Sequence, residues 1–326
     1  FFSPSGYEIR KNYPGADYIF YLPPDTPRNV RRFMAIVRPK IAVFVKYEFW
    51  VNYLLAMKRA GTKLYLISSI FRDGQIFFRP YGGLFRSALR AFRHIFVQND
   101  SSRNLLKSIG IEQVSVAGDT RFDRVYEIAQ QAKRLPEIER FAADAPVFIA
   151  GSTWPPDEEL LVGLIERYPD VKFIVAPHEI DPARIEKFCE RISRPALRYT
   201  QLTPQSDLAA AGVLFVDTIG ILSSVYRYGR WGYIGGGFGA GIHNTLEAAT
   251  FGLPLAFGPR YGKFREARDL VTLRGAASIA SAEELERWFA GLHDDPDATG
   301  RSGTICKEYV LQHKGATARI MDEICR

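Results

Sequence analysis

Between Gly232 and Ala249 an apolar run, Gly232-Tyr233-Ile234, enters a glycine-dense turn, Gly235-Gly236-Gly237-Phe238-Gly239-Ala240-Gly241. The chain leaves that turn through Ile242-His243-Asn244-Thr245-Leu246-Glu247-Ala248-Ala249. Glycine has no Cβ, so such a turn admits positive φ and lets the backbone come close to a ligand. If a helix opens at His243, its first N–H groups and its positive dipole end suit a phosphate. On that helix His243 and Glu247 are i,i+4, and Asn244 and Glu247 are i,i+3, so the three polar groups share a face. A carboxylate there can accept from both hydroxyls of a ribose. The constellation reads as a nucleotide-sugar site; the alternative is a tight strand-to-helix connection without a ligand. No Gly-x-x-x-x-Gly-Lys-Ser/Thr occurs, and Gly237-x-Gly239-x-Gly241 misses the dinucleotide fingerprint.

The elements that must position this cluster follow from hydrophobic patterning. Short apolar runs alternate with helical periodicity, which predicts parallel βαβ units. In the first half the expected strands are 18–21, 41–45, 64–67, 95–97 and 114–117, with helices at 27–37, 50–60, 101–109 and 123–134. After a polar, helix-prone stretch at 130–144, a second series places strands at 147–150, 172–175, 214–216, 232–234 and 255–257. Its helices are expected near 157–168, 182–192, 219–228, 243–251, 263–272 and 282–292, and a last helix near 302–325. The pattern predicts an α/β chain of two Rossmann-like, doubly wound parallel sheets, residues 1–144 and 145–308. The segment 309–326 is expected to be a helix packing back toward the first. Ligands in such sheets bind at the carboxyl ends of the strands, here in a cleft between two halves.

Composition bounds the reading. A chain of 326 residues with 47% hydrophobic and 24% charged residues can bury large cores. The formal charge of +7 favours anionic partners. The three cysteines, Cys189, Cys306 and Cys325, are far apart and lack metal-ligand spacing. The most apolar stretch, Ile41–Met57, is interrupted by Lys46 and Glu48 and is too short to span a bilayer. The chain opens Phe1-Phe2-Ser3-Pro4, which reads as an entry partway through a longer sequence.

Five motifs in order along the chain carry a resemblance. They are Tyr47-Glu48-Phe49-Trp50-x-Asn52, Gly118-Asp119-Thr120-Arg121-Phe122-Asp123, Gly151-Ser152-Thr153, Gly235 to Ala249, and Phe257-Gly258-Pro259 with Phe264-x-Glu266-Ala267. Together they resemble the 3-deoxy-D-manno-octulosonic acid (Kdo) transferases, glycosyltransferases of the GT-B fold that build the lipopolysaccharide inner core. The resemblance implies a metal-independent, inverting enzyme that needs no cofactor and takes CMP-Kdo as donor and a lipid A precursor as acceptor. It implies peripheral contact with the anionic cytoplasmic face of the inner membrane. Gly236, Gly237, Phe238, Gly239, Gly241, His243, Asn244 and Glu247 would then surround the CMP, and Ser152 and Thr153 would face its phosphate. For Thr153 a helix cap before Pro155 is the alternative. Where the family often shows Pro-Arg-His-Pro-Glu-Arg, this chain has Ala176-Pro177-His178-Glu179-Ile180-Asp181, so His178 or Arg184 must replace the arginine. The family's catalytic glutamate has no counterpart here and is expected upstream of residue 1.

The first half offers candidates for the acceptor. Glu48 follows an expected buried strand, where a charge needs a partner or a task. It pairs with Lys46, sits at a helix start, or positions the acceptor sugar. Phe85, Leu89, Phe92 and Phe96 recur at i, i+4, i+7 and i+11, with Arg86, Arg90 and Arg93 on a neighbouring face. With Arg72 and Arg79 nearby, that stripe predicts a basic amphipathic helix on an anionic membrane or on lipid phosphates. No nucleic-acid module accompanies it. Asp295-Pro296-Asp297 imitates a metal-binding Asp-x-Asp but follows a helix, so it reads as an acidic turn. Rival readings are a GT-B enzyme for a UDP-sugar, such as a lipid A disaccharide synthase or an epimerase, and a catalytically incomplete nucleotide-binding fragment.

Overall fold

The computed structural model describes residue 1 and residues 4–325; Phe2, Ser3 and Arg326, which the expected first domain and last helix include, lie outside the described residues. The chain divides into two compact units, Phe1–Thr120 with Gly315–Arg326, and Arg121–Lys314. That boundary lies earlier than the expected one after residue 144, because Leu135, Ile138 and Phe141 belong to a core of the second unit.

The first unit contains α1 (Pro4–Arg10), α2 (Pro27–Val37), β1 (Ile41–Val45), α3 (Val51–Arg59), β2 (Lys63–Ser69), α4 (Gly83–Leu89), β3 (His94–Val97), α5 (Asp100–Ser108) and β4 (Val114–Val116). Helix starts carry their caps in the sequence. Thr26 before Pro27 accepts from the Asn29 N–H, and Asn99 accepts from Ser102. The four strands pair in parallel in the order β1–β2–β3–β4. One sheet face, through Leu64, Leu66, Ile95 and Val97, packs on Tyr53, Leu54, Leu89, Phe92 and Leu106. No strand forms at 18–21, where Tyr18 is 86% exposed. Strand β1 is not the buried strand expected: as an edge strand it leaves Ile41, Val43 and Val45 nearly half exposed.

The second unit runs α6 (Thr120–Gln130), α7 (Pro136–Ala142), β5 (Val147–Thr153), α8 (Pro155–Arg167), β6 (Lys172–Pro177), α9 (Pro182–Cys189), β7 (Ala196–Arg198), β8 (Val213–Phe215), α10 (Leu222–Val225), β9 (Trp231–Ile234), α11 (Thr245–Thr250), β10 (Leu255–Phe257), α12 (Arg265–Leu273), β11 (Ala276–Ser278), α13 (Ala282–His293) and α14 (Pro296–His313). Its sheet is parallel throughout, ordered β11–β10–β9–β5–β6–β8–β7. Alternate residues feed two cores, Val147, Ile149 and Ile174 on one face and Phe148, Ala150 and Phe173 on the other. From β5 the chain winds outward through β6, then returns to lay β9 on the other side of β5. The order therefore reverses between β5 and β9, and the loops leaving their carboxyl ends flank the switch point where ligands of such sheets bind. Strands β7 and β11, three residues each, have no counterpart among the expected elements.

The expected last helix is two helices. Gly315, at φ 98°, ends α14 and starts α15 (Ala316–Ile324). Helix α15 sets Ile320 and Ile324 against Tyr65, Phe96 and Ala117 of the first unit's sheet. The expected acidic turn at 295–297 is a cap: Asp295 accepts from the Ala298 N–H to start α14.

The arginine-flanked stripe also reads differently in three dimensions. Helix α4 stops at Leu89, and Phe96 belongs to strand β3, so the stripe crosses a helix, a turn and a strand. Leu89, Phe92 and Phe96 are buried at 0%, 2% and 3% exposure, so these three side chains belong to the core and not to a membrane-facing stripe. Arg86 is spent on structure, donating to the carbonyls of Phe77, Arg79 and Pro80 at 3.1, 2.7 and 3.2 Å. Replacing Arg86 by serine strands those carbonyls, so we expect the variant to lose about 1–3 kcal/mol in urea unfolding. A variant as stable as the wild type would show that the loop holds without it.

Candidate functional site

The site builds from one buried carboxylate. Asp157, in the first turn of α8, is fully buried and joins three segments. It accepts the Trp154 N–H at 2.9 Å, the Gly236 N–H at 2.9 Å and the Tyr233 hydroxyl at 2.8 Å. It thereby ties the β5–α8 loop to the glycine turn that follows β9. The glycines press these loops together. A Cβ on Gly235 would lie 2.2 Å from the Ser152 carbonyl oxygen, and one on Gly237 would lie 2.5 Å from Gly258 Cα. A side chain at either position would push backbone from backbone and force the loops apart. Among the described residues the N–H groups of Gly237 and Phe238 make no hydrogen bond, so two successive donors remain for an anion.

The helix after the turn opens at Thr245, not at His243, with Asn244 as its cap accepting the Leu246 N–H at 3.1 Å. His243 therefore stands ahead of the helix and does not share a helical face with Glu247. Asn244 and Glu247 do meet: the Asn244 amide donates to Glu247 Oε1 at 2.8 Å. Among the described residues that is the only hydrogen bond of this carboxylate, and burial pushes its pKa up against the pull of Asn244. The Thr245 hydroxyl is buried beside it without a hydrogen-bond partner among the described residues.

Trp154, absent from the sequence-based set, completes the site with His178 and His243. His178 stacks on Trp154 at 4.9 Å and on His243 at 4.1 Å between ring centroids. The Trp154 indole donates to His243 Nε2 at 2.9 Å. Burial first, then the neighbouring His178, lowers the pKa of His243. Ser152 is half-buried and held at φ 55°, a backbone region that non-glycine residues rarely adopt. Thr153 is fully buried, and its hydroxyl donates to Glu158 Oε1 at 3.0 Å. Arg184 donates through Nη2 to Glu158 at 3.3 Å and to the Glu179 carbonyl at 3.1 Å, while its buried Nε has no partner among the described residues. The cation that does lie on the glycine turn is Arg260, another residue missed from sequence. Its backbone N–H donates to Gly237 and its guanidinium to the Gly239 carbonyl at 2.7 Å. The Phe257-Gly258-Pro259 motif immediately before it was the available signal.

In the first unit, Glu48 is exposed and accepts from the Trp50 indole, so the cost of burial that singled it out does not arise. Lys46 instead pairs with the buried Asp119 at 3.9 Å. Arg72, Arg79, Arg90 and Arg93 are exposed. Arg72 also lines a cavity of about 410 Å³ with Tyr47, Phe49, Gln75, Ile76, Phe77 and Phe85.

Two outcomes follow for the second unit. Asp157→Asn puts an amide N–H where a buried acceptor is needed, and should lower stability by on the order of 3 kcal/mol in urea unfolding. Glu247→Gln should do the opposite in the unliganded protein. The folded-state carboxyl lies above its ordinary 4.5, so the wild type loses stability as pH rises from that value through the raised one. The glutamine variant lacks that loss and should melt higher at neutral pH. Equal melting curves from pH 4 to 8 would refute the burial argument.

Comparisons with known proteins agree with this architecture. Residues 1–124 match the family described as 3-deoxy-D-manno-octulosonic-acid transferase (kdotransferase). The chain is 23% identical to the 3-deoxy-D-manno-octulosonic acid transferase of Haemophilus influenzae, over 98% of its own length and 78% of that protein. It is 25% identical to the enzyme of the same name from Bordetella pertussis, over 93% and 73% of the two chains. In fold it superposes on the UDP-GlcNAc 2-epimerase of Neisseria meningitidis with a TM-score of 0.66 at 15% identity, covering 95% of this chain and 85% of that one. The chain has the GT-B fold, and its similarity to Kdo transferases over nearly its whole length marks it as a glycosyltransferase.

Proposed function

We propose that this chain transfers Kdo from CMP-Kdo to a lipid A precursor with inversion, and that the CMP portion is held in the second unit by the glycine turn and the start of α11. The observation that carries the donor assignment is Glu247. A half-satisfied carboxylate, buried enough to raise its pKa, needs donors from outside the chain. The two hydroxyls of a ribose supply them, and the unpaired N–H groups of Gly237 and Phe238 suit the phosphate. Helix α11, only six residues long, adds little dipole, so the turn itself and Arg260 supply the positive potential.

In an inverting displacement a carboxylate base takes the proton of the acceptor hydroxyl while CMP leaves from the opposite face. The second unit serves the leaving group: preorganised donors receive the charge that develops on the phosphate, with no metal in the reading. On the acceptor side, the first unit offers the apolar cavity with Arg72 at its wall, and the exposed Arg79, Arg90 and Arg93, for a lipid bearing phosphates. Arg86 drops out of that set. We place the enzyme at the cytoplasmic face of the inner membrane by peripheral contact. Among the described residues no helix is long and apolar enough to cross a membrane.

Calorimetry tests the donor assignment. CMP should bind and UDP should not, and Glu247→Gln should weaken CMP binding by about 1–3 kcal/mol through the lost charge-assisted hydrogen bonds. Equal affinity of the variant would reject the ribose contact. Preference for UDP would favour a UDP-sugar enzyme.

A further inference from the structure

Trp154, His178 and His243 form a stack whose chemistry is set by one hydrogen bond. The Trp154 and His243 rings lie side by side, within 10° of parallel and 6.5 Å apart, and His178 stacks on both, at 27° to Trp154 and 21° to His243. An indole N–H is a donor only. Because it points at His243 Nε2 at 2.9 Å, that nitrogen must present its lone pair. The ring proton then resides on Nδ1, since the hydrogen bond at one nitrogen fixes the state of the other. Among the described residues His243 Nδ1 makes no hydrogen bond, so its N–H is left for a ligand. Trp154 is itself anchored, its backbone N–H held by the buried Asp157.

We propose that Trp154 is a positioning residue that holds His243 as the neutral Nδ1–H tautomer, so that this ring meets the donor phosphate as a hydrogen-bond donor and not as a cation or a base. The phosphate contact rests on the donor assignment above; the tautomer does not. Protonating Nε2 would set two N–H groups against each other and break the indole bond. The other titratable groups acting on His243 are His178, which opposes a positive charge there, and Asp157, which favours one. Desolvation and the stacked His178 outweigh that carboxylate. A fixed neutral donor keeps its form through neutral pH, whereas a free imidazole near the same phosphate would change charge there.

Long-range nitrogen–proton NMR spectra of the labelled full chain test this directly, with the five histidines assigned by single substitutions. In the wild type near pH 7.5, His243 should show a protonated Nδ1 and a bare Nε2, and should titrate below 6.5. In Trp154→Phe the proton should redistribute onto Nε2 and the midpoint should move up. In His178→Ala the midpoint should rise with the tautomer unchanged. A wild-type His243 protonated at Nε2, or a Trp154→Phe spectrum identical to the wild type, would overturn the proposal. The wild-type spectrum decides the tautomer even if a variant folds poorly. CMP added to the same sample should shift the Nδ1 signal. No shift, with the tautomer as described and with CMP bound by calorimetry, would overturn the phosphate contact. No CMP binding at all would instead reject the donor assignment, while Trp154 would still position His243.

Discussion

The buried carboxylate of Asp157 is the constraint from which the rest of the site follows. Three donors from three segments converge on it: the Trp154 backbone, the Tyr233 hydroxyl and the Gly236 backbone. An asparagine of the same size could not accept all three, because one of its two polar atoms is a donor. The first turn of the 13-residue α8 also favours a negative charge through its own unpaired N–H groups. One carboxylate thus starts a helix, fixes the tryptophan that directs His243, and sets the glycine turn.

That turn lies at the point where the strand order reverses, which is where ligands of such sheets bind. Gly236, at φ 91°, folds back so that a Cβ would lie 2.6 Å from the Gly241 carbonyl oxygen. The unsatisfied groups stand on the same loop and the helix after it. A carboxylate with one partner and a buried hydroxyl with none are costs in the unliganded protein. Such costs persist where a ligand removes them, which is why incomplete hydrogen bonding at the start of α11 argues for a binding role more strongly than the glycines themselves.

Much of the fold was legible in the sequence because periodicity and helix caps are local. Most expected strands of both sheets formed, as did the helices opened by Thr26 and Asn99. What failed was non-local. Tyr18 to Tyr21 looks like a strand but finds no neighbour to pair with. Phe85, Leu89, Phe92 and Phe96 keep a helical spacing across an element boundary, and only tertiary packing reveals that three of them are core. Helix α6 and the 130–144 stretch were assigned to the first domain, yet their apolar side chains complete a core of the second unit.

The site was half legible. The glycine turn, Asn244 and Glu247 lie where the motif indicated, although the helix starts two residues later than His243. Trp154, Asp157 and Arg260 escaped because their partners are 89, 79 and 21 residues away in sequence. A buried acid after Pro-Pro reads as a cap from sequence, and its bond to Gly236 cannot be inferred from spacing. The account is tested most directly by a crystal structure of the full chain soaked with CMP. It predicts phosphate oxygens on the Gly237 and Phe238 N–H groups and the ribose diol on Glu247. Nucleotide density elsewhere, with the Glu247 carboxylate facing only Asn244, would contradict it.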